Sequence, residues 1–423
     1  MRLSIVIPTR ERFEYLRHSL ACALSVQQED VEVVVSDNLS EDQTGQFLDS
    51  IKHPRLRVVR PEKRVSMRQN FEFGLKQARG DYVLFHGDDD AVLPGQFGAL
   101  LALLDQTKPD GLSWRFPVYG WPNAGQSKSL GNFRVLKRHT FGGARSVDLP
   151  RLRTALQSGA LEDLNYGPGI YHAVMSRDYI LGMLARDDGE CILSMSPDTY
   201  VTMRAIHAGG RFLSVEHPFS MNGFGHRSNG GSNQARANVV NEGTTFRSEA
   251  QNDPVKDVLP INKCVAYGYL NVLETLRKNF PQPPMHLELE SWYRRVCFEV
   301  SRKKAAQERE SILADVAYHA DTIGDPNALA HAQATPRLLL QRTKIRWAYN
   351  KHKLGSFRMD GAQNGSNTVA TAVARLDYFL GQDYANVMTG KMSRTEAWLA
   401  AQTRRRNLKT YSPKIPEILT HGT

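Results

Sequence analysis

Residues 78–94 read ARGDYVLFHGDDDAVLP. The apolar run Tyr82-Val83-Leu84-Phe85 has the length and make-up of a buried strand, and Gly80 before it is a helix stop. Three consecutive carboxylates follow at once: Asp88, Asp89 and Asp90. Adjacent carboxylates repel one another, more strongly near a low-dielectric core. A solvated acidic turn would explain them without any function. The surrounding pattern decides between that reading and a site.

Upstream, residues 3–7 (LSIVI, closed by Pro8), 31–35 (VEVVV, stopped by Ser36-Asp37-Asn38) and 56–59 (LRVV) read as three further strands. Apolar residues at helical spacing predict helices over 14–26, 41–51 and 66–78 between them. This alternation predicts an α/β fold, a Rossmann-like and mostly parallel sheet flanked by helices. In such sheets ligands bind at the carboxyl ends of the strands. Three of these ends are polar: Pro8-Thr9-Arg10-Glu11, Asp37-Asn38 and the acidic turn. No GxGxxG follows the first strand and no GxxxxGK[ST] occurs, which argues against ordinary dinucleotide and P-loop sites.

Residues 111–220 are irregular, with a helix expected over 197–208. Residues 223–233 (GFGHRSNGGSN) read as a glycine-rich flexible loop. From about residue 255 the pattern turns helical, with candidates at 262–280, 287–321, 326–351, 366–381 and 393–407. A basic α-helical C-terminal domain is therefore expected over 255–423.

The chain has 423 residues, a net charge of +10 and a pI near 9.4. From residue 300 onward it carries nineteen Lys and Arg against ten Asp and Glu, so nine of the ten surplus charges lie there. Such a chain suits an acidic partner: a phosphate-bearing substrate, nucleic acid or an anionic membrane surface. A merely solvated basic surface is the plain alternative. Cys22, Cys191, Cys264 and Cys297 form no CxxC pair, so neither zinc nor a disulfide framework is expected. The start of the chain does not read as a signal peptide, and no 18-residue apolar run occurs. Together these point to a cytoplasmic protein.

Three carboxylates on one strand-end turn make a hard, oxygen-only site that suits Mg²⁺ or Mn²⁺. Such an ion takes one or two carboxylates and completes its shell with substrate phosphate. A carboxylate at the neighbouring strand end, Asp37, suits hydrogen bonds from a base NH or a ribose hydroxyl.

In succession, LSIVIPTR, VEVVVSDNLSED and ARGDYVLFHGDDDAVLP resemble the family 2 glycosyltransferases of the GT-A fold, over residues 1–235. SMRQNFEFGL and GPGIYHAVMSRDYI are similar to bacterial members acting on surface polysaccharides such as capsule and lipopolysaccharide. The resemblance implies that Pro8, Thr9 and Glu11 line a nucleotide pocket, with Asp37 reading the base and Asp88 facing the ribose. It implies Asp89 as the metal ligand, Asp90 as a carboxylate beside the metal or sugar, and His226 as a loop ligand to the ion. Gly87 stands where the commoner Asp-x-Asp-Asp form has its first Asp. Arg68 and Asn70, with Arg64, are implied contacts to phosphate or sugar, and Arg227 to the diphosphate. Trp121, Tyr171 and His172 are implied acceptor or sugar contacts. An inverting transferase needs a general base at the start of a helix about a hundred residues beyond the acidic turn, and Asp198 in SPDTYVTMRAIHAGG matches.

The implied partners are a nucleotide-sugar donor, UDP-sugar favoured, and a glycan or lipid-linked acceptor, with no nucleic acid. Oligomerisation is compatible with the sequence. The basic C-terminal part is expected to touch the inner membrane face peripherally. Two rivals are a sugar-1-phosphate nucleotidyltransferase and a non-catalytic glycan-binding scaffold. The first needs a glycine-rich basic loop after the first strand, and PTRER lacks glycine.

Overall fold

A computed structural model describes residues 1–122, 130–164, 167–225, 253, 257–259, 264–334 and 355–418. The expected strands form one half of an eight-stranded sheet, with β3 at its edge. Its members include β1 (Leu3–Thr9), β2 (Val31–Asp37), β3 (Leu56–Val59) and β4 (Tyr82–Phe85). β1 pairs in parallel with both β2 and β4, and β2 with β3. Every residue of β1 and β2 is buried. Strands covered on both faces read as unbroken apolar runs, which is why these two were legible. Gly80 is required where the chain enters β4: a Cβ there would lie 2.5 Å from the backbone nitrogen of Ser4.

β5 (Ala91–Val92) leaves this sheet for a second one. β6 (Gly111–Trp114) stays, and β7 (Val118–Gly120) and β8 (Asn132–Leu136) join the second sheet. β9 (Ala144–Ser146), β10 (Ala173–Ser176) and β11 (Phe212–Val215) complete the large sheet, in the order β3-β2-β1-β4-β10-β6-β11-β9. β10 is antiparallel to both β4 and β6. β12 (Ser220–Phe224) and β13 (Ser356–Asp360) belong to the five-stranded sheet β13-β8-β7-β12-β5. β13 has no counterpart in the sequence reading. Its short run, SFRMD, is half exposed and lacks an apolar core stretch.

The helices are α1 (Phe13–Leu24), α2 (Gln43–Ser50), α3 (Met67–Gln77), α4 (Phe97–Thr107), α5 (Leu149–Ser158), α6 (Leu161–Leu164), α7 (Arg177–Leu184) and α8 (Pro197–Ala208). They are followed by α9 (Val265–Asn279), α10 (Leu289–Ser301), α11 (Ala306–Thr322), α12 (Pro326–Ala334), α13 (Val369–Leu380), α14 (Asp383–Met388) and α15 (Arg394–Asn407). The single helix expected over 287–321 is two, α10 and α11, broken at 302–305. The remainder of the helix expected over 326–351 lies outside the described residues beyond Ala334.

Successive side chains of β1 serve opposite faces. Leu3, Ile5 and Ile7 join one core with α1, α4 and residues of α13 and α15, whereas Val6 joins the other with α3, α8, α9 and α10. The described residues of 255–423, a stretch expected as one helical domain, thus divide between the two faces of the sheet. α9 to α12 cover the α3 side, and residues 356–408 return to the side of α1.

Candidate active site

The β1 end, the β2 end and the turn after β4 meet because the three strands are adjacent in the sheet. Thr9 is opposite Asp37 in the β1–β2 register. The Thr9 hydroxyl donates to Asp88 Oδ2 at 2.7 Å. Pro8, Thr9, Asp37 and the acidic turn therefore share one edge, as the strand-end argument requires.

The three aspartates have separate surroundings. Asp90 is fully buried. Its Oδ1 accepts from Asn222 Nδ2 at 2.9 Å and from the Gly223 amide at 2.7 Å. Its Oδ2 accepts from the Gly87 amide at 2.8 Å and from the Tyr171 hydroxyl, with His172 Nε2 3.4 Å away. Burial alone would raise its pKa, yet His172, Tyr171 and His86 outweigh that and hold it below the usual carboxylate value. Asp90, expected beside the metal or sugar, is instead the keystone of the loop, because its oxygens are consumed by protein donors.

Asp88 and Asp89 share one cation. Arg12 Nε lies 3.0 Å from Asp88 Oδ1, and Arg12 Nη2 lies 3.0 Å from Asp89 Oδ2. The Asp89 pKa is raised, first by burial and then by Asp90 and Asp88, with Arg12 opposing. Gly87 cannot carry the side chain found in the commoner motif: its Cβ would lie 2.6 Å from the Tyr171 hydroxyl and 2.9 Å from Asp89 Oδ1.

Asp37 is buried and tied to Ser40 N at 3.0 Å and Arg60 Nε at 2.9 Å. A shallow groove beside it is lined by Ser40, Gln46, Asp49 and Arg60. Glu11 adopts a left-handed backbone (φ 55°), unusual for a side chain of its size. Its amide donates to Ser40 Oγ at 2.9 Å and its carboxylate pairs with Arg64.

Asp198 stands in the first turn of α8 with a solvent-exposed side chain. Protein crowds it closely enough for desolvation to raise its pKa, against hydrogen bonds from its own and the Thr199 amides. Its charge reaches Tyr171, whose pKa is driven well up by burial first, then by Asp90, Asp89 and Asp198. Asp188, ten residues before Asp198, pairs with Arg186 at 3.0 Å.

Four expected contacts are redirected inward. Arg68 is buried and bound to Asp253 and to the Ile192 carbonyl, so it braces the protein rather than a phosphate. Asn70 accepts from Ser36 Oγ at 2.8 Å and donates to the Ser36 carbonyl at 3.1 Å, pinning α3 to β2. Trp121 is buried, and its indole donates to the Asp89 carbonyl at 3.0 Å. His172 is buried against Ser220 Oγ at 2.8 Å, under the stacked ring of Phe116. Each is consumed by an internal partner that lies far away in sequence. His226 and Arg227 fall outside the described residues.

The sequence reading missed Arg12. One signal was available: a basic residue four positions beyond Pro8 is the nearest counter-charge to a triple carboxylate at the adjacent strand end. It also missed Arg60, the partner of Asp37, and Asn222 with Gly223, which hold Asp90.

The donor set fits a divalent ion in one respect. Asp88 and Asp89 are two buried carboxylates that both pair with Arg12, and Mg²⁺ or Mn²⁺ takes one or two carboxylates plus phosphate oxygens. Among the described residues no group of three or more His, Cys, Asp or Glu is arranged to hold a metal ion by itself.

Residues 4–154 match the family model described as "Glycosyl transferase family 2". Over 103 residues the chain is 28% identical to the GalNAc(5)-diNAcBac-PP-undecaprenol beta-1,3-glucosyltransferase of Campylobacter jejuni. That match covers 24% of this chain and 33% of the relative, so the chain spans about a third of its length. Among solved structures, S. aureus TarS 1-349 aligns at 16% identity and a TM-score of 0.43, over 79% of this chain and 90% of that one. The same protein in complex with UDP-GlcNAc aligns at 15% identity and a TM-score of 0.41, over 97% and 92%. Likeness of that degree carries no weight below. The stretch 4–154, which holds β1 to β4 and the acidic turn, is thus similar to glycosyltransferase family 2.

Proposed function

We propose that the protein is an inverting glycosyltransferase that moves a sugar from a nucleoside-diphosphate sugar, UDP-sugar first among them, to a hydroxyl of a glycan or lipid-linked acceptor. One observation supports this above all: adjacent β2, β1 and β4 bring Asp37, Thr9, Asp88 and Asp89 to one sheet edge, where the Thr9 hydroxyl is bonded to Asp88. The glycolipid named for the Campylobacter relative supports an acceptor of that class in surface-polysaccharide synthesis.

Asp37, Thr9 and Glu11 border the nucleotide, with Asp37 held rigid by Arg60 and Ser40 to meet the base or ribose. Asp198 takes the proton from the acceptor hydroxyl. That oxygen forms a bond to the anomeric carbon as the bond to the diphosphate breaks, and the diphosphate leaves with the electron pair. A carboxylate with a raised pKa is a better base for this step than an ordinary surface aspartate. Asp89 and Asp88 would hold a bound Mn²⁺ or Mg²⁺, whose chemistry is to neutralise charge growing on the departing diphosphate. Asp90, Tyr171 and His172 keep the turn in place.

No helix of the described residues is long and apolar enough to cross a membrane. The basic face of α15, with Arg405 and Arg406 exposed, supports peripheral contact with an anionic leaflet.

Calorimetry with a panel of nucleotide sugars, with and without Mn²⁺, tests the assignment. Uptake of at least one that strengthens with Mn²⁺ and is lost in Asp89→Ala is expected. A folded protein that takes up none of them would remove the reading. A scaffold would show no metal-dependent uptake.

A further inference from the structure

Arg134 on β8 and Arg358 on β13 stand directly opposite each other in an antiparallel pair. Like charges in that position repel and weaken a sheet. Arg134 Nη1 donates to Ser356 Oγ at 2.8 Å, a neutral partner, and among the described residues neither guanidinium pairs with a carboxylate. Asp360, two residues along β13, accepts from the Ala362 amide at 2.9 Å instead.

The pair belongs to a row across the five-stranded sheet. Tyr119, Phe133, Val135, Met221 and Met359 fill the buried face of that sheet. Side chains alternate along a strand, so the residues between these share the outer face. The register sets Arg358 against Arg134 and Asn222 against Val118, and the Tyr119–Phe133 pair puts Val118 beside Arg134. The row Asn222–Val118–Arg134–Arg358 starts at the acidic turn, where Asn222 Nδ2 donates to Asp90 Oδ1. Its three inter-strand spacings come to about 14 Å. Beside Asn222, Phe116 is 36% exposed and stacks on His172, ring centres 4.2 Å apart, and Val118 is 44% exposed. Phe116 lines one narrow cleft with Arg115 and Arg134.

We propose that this outer face seats the acceptor, and that the acceptor is a glycan chain bearing a phosphate group held by Arg134 and Arg358. This rests on the transferase reading above. β7 continues from β6, which lies on the far side of β4 from β1 and β2. The row therefore leads away from Asp37 and the nucleotide half of the site. Guanidinium forks match phosphate oxygens bidentately. A phosphate between two opposed guanidinium groups turns their repulsion into attraction, whereas an uncharged chain would leave it unrelieved. The exposed faces of Phe116 and Val118, between the turn and the arginines, suit the apolar face of a sugar ring.

The test is calorimetry on the full chain, with short-chain inorganic polyphosphate as the probe and UDP in excess to fill the donor site. The proteins are wild type, Arg134→Gln, Arg358→Gln and the double variant. Lys278→Gln/Lys304→Gln, two exposed lysines on the α3 side, is the control. The double variant should bind polyphosphate at least about tenfold more weakly than wild type, with each single variant between them. The control should stay within about twofold, as should UDP affinity in every protein, because separated surface charges are screened. Arg358→Gln should melt at or above the wild-type temperature, since it removes a repulsion. The single variants serve if the double variant does not fold. Equal polyphosphate affinity in wild type and the double variant overturns the proposal. So does an equal loss in the lysine control, which marks an effect of net charge alone. A parallel loss of UDP affinity puts the pair at the donor diphosphate and overturns it as well. Phosphatidylglycerol vesicles form the last arm: vesicle binding lost in the double variant with polyphosphate affinity unchanged makes the face a membrane contact instead. If no protein takes up UDP while the pair still governs polyphosphate, the transferase reading falls and takes the acceptor role with it, leaving only an anion site.

Discussion

Gly223 on β12 packs directly under Asp89. A Cβ at Gly223 would collide with the Asp89 carbonyl oxygen, and the Gly223 amide also donates to Asp90. The acidic turn is shaped by a strand that arrives more than a hundred residues later.

Gly223→Ala should therefore displace the turn. A shift near 1 Å at a reacting site can cost about 100-fold in rate, so transfer should fall by about that factor while circular dichroism stays close to wild type. Gly182→Ala is the matched control, since nothing lies within 4 Å of a Cβ there. Its activity should be unchanged.

Asp89 and Asp90 should respond in opposite ways. Asp90→Ala strips the partner from Tyr171, Asn222 and two backbone amides. Each orphaned buried donor costs about 1–3 kcal/mol, so unfolding in urea should show a loss of about 3 kcal/mol or more. Asp89→Asn removes a carboxylate whose pKa is raised in the fold, which means its ionised form already opposes folding. Its stability at neutral pH should match or exceed wild type, with transfer lost.

As the proposed base, Asp198 would act only when ionised, and its pKa is raised by desolvation. The acid side of the kcat/KM profile should therefore fall off at a higher pH than an ordinary aspartate would give. Asp198→Asn should lose that limb together with nearly all transfer, while nucleotide affinity holds within about threefold of wild type, because the proposed role of Asp198 is toward the acceptor hydroxyl.

Asp377 on α13 accepts from the Gly95 amide at 2.9 Å and from Gln96 Nε2 at 3.1 Å, and burial pushes its pKa up to about 6. The folded value exceeds the unfolded one, so the fold prefers the protonated acid. Stability from this group is present at low pH and is lost as pH rises towards and through 6. Asp377→Asn should be more stable than wild type at pH 7.5 by about 1–2 kcal/mol, a gap that closes near pH 4. Thermal melts across that range measure it.

Arg68→Ala should separate structure from binding. Its side chain is 2% exposed, paired with an Asp253 side chain that is 0% exposed. Breaking a buried pair by removing one partner costs about 3–5 kcal/mol. UDP affinity of the protein that remains folded should stay within about threefold of wild type.

The sequence by itself determined the first four strands, their order of appearance and their polar ends. A strand buried on both faces must be apolar throughout, and LSIVI, VEVVV and YVLF show that locally. It also placed Asp37, Asp88 and Asp198 at element ends, because such ends follow from where apolar runs stop. Which carboxylate is available for a ligand was a tertiary matter. Asp90 is consumed by Asn222 and Gly223 from β12, and Arg68 by Asp253. Residues 356–408 return to the α1 face, which helical periodicity alone did not distinguish from a separate domain. A carboxylate is chemically the same wherever it stands. Its solvent, its counter-charge and its hydrogen-bond donors come from distant parts of the chain, and they decide whether it binds, catalyses or braces.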